Sequence, residues 1–164
     1  MDDERNRELY RRLDATARGQ ATNLLAELRT GFAVFGDSQK LPGYCVLLYR
    51  NRVEHLDDLS DPERMDFLRD LALLGQSVRI ACEAHDSAFS RVNYEVLGNS
   101  WPQLHGHVHA RYKWEPDEYK GDPVWCYPDR TDPQHQTDGR HDSLRQAITH
   151  ALRTASDGAY ADGQ

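Results

Sequence analysis

The sequence predicts an α+β fold, and three observations support this expectation. Two short apolar segments of strand length come early, each next to turn residues. A long segment with the hydrophobic spacing of an amphipathic helix follows them. Two further segments then have the alternation that is typical of β-strands. The order strand, strand, helix, strand, strand predicts an antiparallel sheet on which the helix packs.

Length and composition limit the class of protein. A chain of 164 residues fits one domain, and 38% hydrophobic with 29% charged residues is typical of a soluble globular protein. No apolar run approaches the length that spans a bilayer, so we expect no membrane partner. The acidic start lacks the apolar region of a secretory signal, which predicts a cytoplasmic protein.

Charge and cysteine content exclude two further classes. A formal net charge of -7 repels a polyanion, so we expect no nucleic-acid partner, although a local pocket for one phosphate group is compatible with it. Cys45, Cys82 and Cys126 are an odd number at wide spacing, which argues against a disulfide framework. Small anionic ligands therefore remain the class that fits the composition.

The first third of the chain predicts one helix and two strands. Leucines and alanines between residues 4 and 29 follow helical spacing, with Gly19 as a point where the helix could break. Gly31 to Phe35 is a short aromatic strand segment that ends in the turn residues 36–38. Tyr44 to Tyr49 is a continuous apolar run of strand length.

The middle of the chain has the clearest start signal of any helix. Ser60, Pro62 and Glu63 form the pattern of a capping box, and apolar residues then recur at three- and four-residue steps to about His85. Residues 92–96 alternate as a strand should. A long helix packed on the sheet is therefore predicted from Ser60 onwards.

The C-terminal part is less regular. Residues 112–128 are aromatic, acidic and flanked by prolines, which predicts a segment held against the domain or across a partner chain. Residues 129–140 are rich in Asp, Thr, Gln and Pro and have a composition typical of mobile chain. Residues 142–155 have apolar positions on one face and predict a last helix.

Three histidines at two-residue spacing are the main candidate for a functional site. On a β-strand, His105, His107 and His109 would all project from one face. A neutral imidazole carries one lone pair and one N–H, so such a row can attack an electrophile, transfer a proton or bind a metal. A strand that only had to pack would use β-branched residues, which favours a functional reading.

Two alternative chemistries fit the histidines less well. Three imidazoles can bind zinc, but alternate residues of a flat strand stand about 7 Å apart at Cα, and the strand has no nearby carboxylate. A triad of Ser100, His105 and an aspartate lacks the G-x-S-x-G turn that would support it. Direct nucleophilic attack by histidine ranks first, and we expect no metal and no cofactor.

The segment Gly98 to Arg111 resembles the signature of the histidine-triad (HIT) superfamily, G-Q-S-x-P-H-x-H-x-H-x-x-P-R. Upstream pieces match in the same order: Phe35-Gly36-Asp37, then Pro42-Gly43-Tyr44-Cys45-Val46-Leu47-Leu48, then His55-Leu56-Asp57-Asp58-Leu59. The resemblance covers about residues 31–114. It leaves the first helix and the tail outside.

The resemblance also sets the register of the triad. Alignment without a gap on Gly98, Ser100, Pro102 and Arg111 puts a glutamine on the first triad position and histidines on the other two. Those positions are Gln103, His105 and His107. The resemblance then implies that His105 is the nucleophile and that His109 is an additional histidine on the same face.

The resemblance implies a HIT-like fold, with an antiparallel sheet of about five strands, a long packed helix, and N- and C-terminal helices. We expect a single domain over residues 1–164, comprising an N-terminal helix (1–30), the HIT core (31–114) and a tail segment with the C-terminal helix (115–164). A homodimer is also implied.

For function, the resemblance implies a hydrolase of nucleoside phosphate derivatives: a dinucleoside polyphosphate, a nucleoside phosphoramidate or an adenylylated metabolite. The alternatives are a nucleotidyltransferase or phosphorylase with the same nucleotidyl-histidine intermediate, and a nucleotide-binding module with impaired chemistry. The expected catalytic residues are His105, His107, Ser100 and Gln103. The expected substrate-binding residues are Asp37, Asn93, Asn99, His109 and Arg111, with Asp37 on the ribose hydroxyls.

Overall fold

A five-stranded antiparallel sheet organises the molecule, which the computed structural model describes over residues 2–161. The strands lie in the order β1-β2-β3-β5-β4. The predicted α+β fold, with five antiparallel strands and three helices, is confirmed. The strands are β1 (Leu24–Glu27), β2 (Gly31–Phe35), β3 (Cys45–Tyr49), β4 (Phe89–Glu95) and β5 (His105–Tyr112), and the helices are α1 (Asp2–Ala17), α2 (Asp61–His85) and α3 (Asp142–Ala161).

Helix α2 begins and ends where the sequence predicts. The Glu63 carboxylate accepts hydrogen bonds from the backbone N–H of Ser60 at 3.1 Å and from the Ser60 hydroxyl, as expected for a capping box. Pro62 lies in the first turn, where its missing N–H costs no hydrogen bond. The helix ends at His85.

The hydrophobic core lies between α2 and one face of the sheet. Gly106 of β5 faces Leu71 of α2, and a Cβ at that position would lie only 2.7 Å from Leu71 Cδ1. Glycine is therefore required for the helix to approach this closely, and it brings β5 directly under α2. Core residues with no measurable exposure include Leu47, Phe67, Leu74, Val78, Val108 and Ala110.

The prediction of one helix over residues 4–29 is wrong in its second half. Helix α1 ends at Ala17, Gly19 adopts a left-handed φ of 70°, and the chain then forms β1. Leu24 pairs with Val34 of β2, so β1 becomes the fifth strand of the sheet. The leucines had helical spacing, but hydrogen bonds from a strand distant in sequence determined the structure.

A second, smaller apolar cluster lies on the opposite face of the sheet. Leu13 of α1 packs there with Phe32 of β2 and with Trp101 from the loop before β5. Phe32 is directly opposite Leu48 of β3, which is in turn opposite His105. The cluster therefore lies on the same face as the histidine row, with α1 over one end of it.

The tail after β5 lies against the domain. The backbone N–H of Gln39 donates to the carbonyl of His135 at 2.7 Å, and the N–H of Thr137 donates to the carbonyl of Asp37 at 2.8 Å. These bonds attach the stretch 129–140, whose composition predicted mobility. Helix α3 is six residues longer than predicted and packs on α2 and β1. Within residues 2–161, we find no helix that is both long and apolar enough to cross a membrane.

Candidate active site

Strand β5 presents the three histidines in one row, as the spacing predicts. His105, His107 and His109 are 8%, 8% and 3% exposed. His107 pairs with Val46 of β3 and with Glu95 of β4, so these side chains share its face of the sheet. The three side chains are buried, and they lie on the face of the sheet opposite to α2.

His105 is held by the backbone just before it. Its Nδ1 lies 2.5 Å from the carbonyl oxygen of Gln103, an acceptor that requires Nδ1 to carry the proton. The Nε2 atom makes no hydrogen bond within residues 2–161, and His105 is one of the residues that line a cavity of about 260 Å³. Burial lowers the pKa of His105 and outweighs the opposite effect of the Gln103 hydrogen bond. A neutral ring with its Nε2 lone pair available is the result.

Gln103 holds His105 through its backbone carbonyl, and its side-chain amide holds the turn to which that carbonyl belongs. Its Nε2 donates to the carbonyls of Tyr49 at 3.2 Å and Asn51 at 2.8 Å. Its Oε1 is buried without a partner among the described residues. The side chain therefore fixes the turn whose carbonyl orients His105, and Gln103 also lines the cavity beside that ring.

His107 is bound by a residue that the sequence did not single out. The hydroxyl of Tyr44, just before β3, lies 2.9 Å from His107 Nδ1. The rings of His107 and His105 meet edge to face at 4.7 Å between centroids. Burial, with a smaller effect of His105, lowers the pKa of His107 to about 3. His107 is therefore neutral near pH 7.

His109 is enclosed by aromatic rings. The Tyr44 ring stacks on it at 4.3 Å with an interplanar angle of 4°, and Trp125 meets it edge to face at 5.2 Å. Burial, then His107 and Arg111, lower its pKa to about 3. Its Nε2 is buried and has no partner in the part of the chain that the structure describes. His109 is thus the member of the row least accessible to a ligand.

Trp125 covers the row at this end. It lies on a short 3-10 helix, Val124–Cys126, and also contacts the ring of His107 at 4.8 Å. Its indole N–H donates to the Glu95 carboxylate. The sequence predicted that this proline-flanked segment would be held against the domain, but only the structure identifies the histidine row beneath it.

Four predicted site residues lie around the row without joining it. Asn93 is half-buried and pairs with His109 across β4 and β5. Asn99 and Ser100 are exposed on the loop before β5 and make no side-chain hydrogen bond within the described range 2–161. Asp37 is exposed and forms an ion pair with Arg12 of α1 at 2.6 Å.

Arg111, the remaining predicted binding residue, forms an ion pair and hydrogen bonds with the tail. Its guanidinium and the Glu115 carboxylate form a buried ion pair at 2.7 Å, with side chains 7% and 1% exposed. It also donates to the backbone carbonyls of Tyr119, Lys120 and Asp122. Arg111 therefore attaches the tail to β5 through its side chain.

The fold and site together define a class of protein: an α+β domain that presents a row of neutral, buried histidines beside a small cavity. Within residues 2–161, no group of three His, Cys, Asp or Glu side chains is arranged to share one metal ion.

The model of the HIT domain family matches residues 18–114, which is more than half of the chain. The chain therefore belongs to the HIT domain family. No curated protein sequence matches the chain.

Solved structures with the same fold come from distant relatives. A histidine triad protein from Sinorhizobium meliloti 1021 has a TM-score of 0.65 and 18% identity, covering 78% of this chain and 87% of its own. A hypothetical histidine triad nucleotide-binding protein from Sulfolobus tokodaii strain7 has a TM-score of 0.64 and 12% identity, with 93% and 97% coverage. A uridylyltransferase has a TM-score of 0.52 and 15% identity, covering 84% of this chain and 43% of its own.

Proposed function

We propose that this protein hydrolyses nucleoside phosphate derivatives, with His105 as the nucleophile. The candidate substrates are a dinucleoside polyphosphate, a nucleoside phosphoramidate and an adenylylated metabolite. The observation that carries the proposal is the hydrogen bond between His105 Nδ1 and the Gln103 carbonyl, which leaves an unprotonated Nε2. The cavity beside His105 gives a phosphate group room to approach it.

The reaction proceeds in two displacements. The Nε2 lone pair of His105 attacks the α-phosphorus, a P–N bond forms, and the bond from phosphorus to the leaving group breaks. The leaving group takes a proton that is relayed from water through the Ser100 hydroxyl or the His107 Nε2–H, so the relaying group regains a proton as it gives one up. Water then attacks the nucleotidyl-histidine and releases a proton to solvent, the P–N bond breaks, and the nucleoside monophosphate leaves with His105 restored. The lowered pKa of His105 supports this role, because the ring stays neutral at pH 7.

The residues around His105 have separate roles in binding. Negative charge that grows on the phosphoryl oxygens is stabilised by N–H and O–H donors of His107, Ser100 and Asn99. Asp37 accepts hydrogen bonds from the ribose hydroxyls after it exchanges its present partner, Arg12. The net charge of -7 favours a small ligand over a nucleic acid.

Transfer of the nucleotide to an acceptor other than water is the second candidate, and the position of Trp125 favours it. The indole covers His107 and His109 and so limits the access of water to the side of the row next to His105. A nucleotidyltransferase or phosphorylase would hold the same intermediate until phosphate or a sugar phosphate attacks it. The impaired-module alternative is less supported, because Gln103 leaves the orientation of His105 intact.

Mass spectrometry of the intact protein tests the proposal. The protein is incubated with diadenosine tetraphosphate or adenosine 5′-phosphoramidate, with and without a chelator, and quenched in the steady state. We expect a nucleotidyl adduct in the wild type and none in His105→Ala. The control is His85→Ala, which replaces an exposed histidine at the end of α2 and should still form the adduct. Full activity of His105→Ala with loss in His107→Ala would refute the assignment, and loss of activity with chelator would favour a metal mechanism.

The assembly we propose is a homodimer formed at the edge of the sheet. Strand β4 is an edge strand with an unpaired side, and Tyr94 on it is 49% exposed. Ile80 of α2 and Trp114 after β5 are also large and exposed, at 46% and 48%. Light scattering after gel filtration should give twice the monomer mass of 18.8 kDa, and a monomer at micromolar concentration would refute the proposal. A cytoplasmic location stays a prediction.

A further inference from the structure

The position of Tyr44 is fixed on both sides of its ring. One side stacks on His109 at 4.3 Å, and the other packs against Gly36, where a Cβ would lie 2.2 Å from the ring. The ring is therefore in contact with both neighbours, and its hydroxyl lies 2.9 Å from His107 Nδ1. A side chain held in this way sets the geometry of its hydrogen-bond partner.

The direction of this hydrogen bond follows from the protonation states. Burial, with smaller contributions from Cys45, Asp37 and Glu95, raises the pKa of Tyr44 well above its ordinary value, so the hydroxyl keeps its proton. His107 is neutral, with a pKa of about 3. The Tyr44 hydroxyl has no other hydrogen-bond acceptor within residues 2–161. Donation from Tyr44 to Nδ1 satisfies both groups, whereas the reverse direction would leave the tyrosine proton without a partner.

We propose that Tyr44 is a positioning residue that holds His107 as the tautomer with its proton on Nε2. The consequence for catalysis rests on the proposed function, whereas the tautomer itself does not. Neighbouring histidines on β5 then have opposite tautomers. The Gln103 carbonyl keeps the proton of His105 on Nδ1 and leaves Nε2 as the nucleophile. Tyr44 keeps Nδ1 of His107 unprotonated and makes Nε2–H a donor to the phosphoryl group.

With opposite tautomers, His105 can act as a nucleophile and His107 as a hydrogen-bond donor while both rings stay neutral. A protonated His107 would repel a protonated His105 and would cost desolvation energy in this buried position. A neutral N–H donor can stabilise phosphoryl oxygens and stays bonded as charge grows on them. The sequence alone could not supply this assignment, since Tyr44 and His107 are 63 residues apart.

Nitrogen NMR of the ring nitrogens tests the proposal, because protonated and unprotonated imidazole nitrogens resonate in separate 15N ranges. In the wild type we expect His107 with Nε2 protonated and His105 with Nδ1 protonated. In Tyr44→Phe, which keeps the stacking ring, we expect a second His107 form and unchanged His105 signals. Loss of one oriented donor predicts a fall in kcat of about ten- to a hundredfold with KM within about twofold. The control Tyr10→Phe removes a hydroxyl that donates to the Pro102 carbonyl, and it should change neither the His107 signals nor kcat.

The wild-type spectrum decides the question even if a variant fails to fold. His107 protonated on Nδ1 in the wild type would overturn the proposal, and so would identical His107 signals and kcat in Tyr44→Phe. If His107 has the expected tautomer but no substrate produces an adduct on His105, the proposed function fails and the assignment to Tyr44 stands.

Discussion

The folded protein keeps the histidine row unprotonated at a pH where the unfolded chain takes up protons. We expect its stability to fall on acidification for this reason, and His109 gives the most direct test. This ring is 3% exposed, and burial is the main reason for its pKa of about 3. In the unfolded chain its pKa returns to about 6.5, the ordinary value. The substitution His109→Phe keeps a ring for Tyr44 to stack on but removes the titrating group.

The sign and size follow from proton linkage. The unfolded chain takes up a proton at His109 as pH falls through about 6.5, and the folded protein does not until pH is near 3, so its contribution to stability is complete above 6.5 and is lost below it. At pH 5, about 1.5 units below the unfolded pKa, the loss is about 2 kcal/mol. His107, with a similar pKa, loses about the same amount.

Urea unfolding at pH 8 and pH 5 is the assay. We expect the free energy of unfolding of the wild type to fall between these pH values by about 2 kcal/mol more than that of His109→Phe. All other titrating groups are common to both proteins and cancel in this double difference. His150→Gln, an exposed position on α3, should show the same pH dependence as the wild type.

If the free energy of unfolding falls equally in the wild type and in His109→Phe between pH 8 and pH 5, the reasoning is refuted. It would mean that His109 binds its proton equally well in the folded and unfolded chains. The aromatic enclosure by Tyr44 and Trp125 would then not exclude the charged ring.

Two further changes test the tail. Trp125→Ala should raise the rate at which diethyl pyrocarbonate modifies His107 several-fold, because the indole contacts that ring at 4.8 Å; peptide mass spectrometry measures the rate. Glu115→Gln should lower the free energy of unfolding by about 3 kcal/mol, because it leaves the buried guanidinium of Arg111 without its counter-charge; urea unfolding measures this loss.

Matched controls separate these effects from general destabilisation. Trp114→Ala removes a more exposed indole that bonds Asp86 instead of covering the row, and it should leave the modification rate of His107 unchanged. Lys120→Gln removes a solvent-exposed ion pair with Asp117 and should change stability by less than about 1 kcal/mol. Equal effects of the test and control substitutions would contradict both explanations.

Local sequence patterns were sufficient for the limits of α2 and for the histidine row. The capping box at Ser60 and Glu63 marks the start of α2 because its hydrogen bonds join residues only three positions apart. The row follows from the two-residue period of a strand, which needs no knowledge of the rest of the fold. His105 as the residue with an available Nε2 also agrees with local geometry, since its partner Gln103 is two residues away.

Strand β1 is where local spacing gave the wrong element. Leu24, Leu25 and Leu28 fit one face of a helix, yet Leu25 and Leu28 reach the core from a strand and its end. Only pairing with β2 distinguishes the two, and that pairing is a property of the assembled sheet.

The chain by itself therefore predicted that the three imidazoles share one face of β5. The tertiary structure alone decided what surrounds them: Tyr44 stacks on His109 and bonds His107, Trp125 contacts both rings, and Arg111 pairs with Glu115. The physical reason is the distance along the chain over which each interaction acts. Strand alternation and caps depend on neighbours within a few residues, whereas ring stacking, burial and pKa depend on groups that meet only when distant segments fold together.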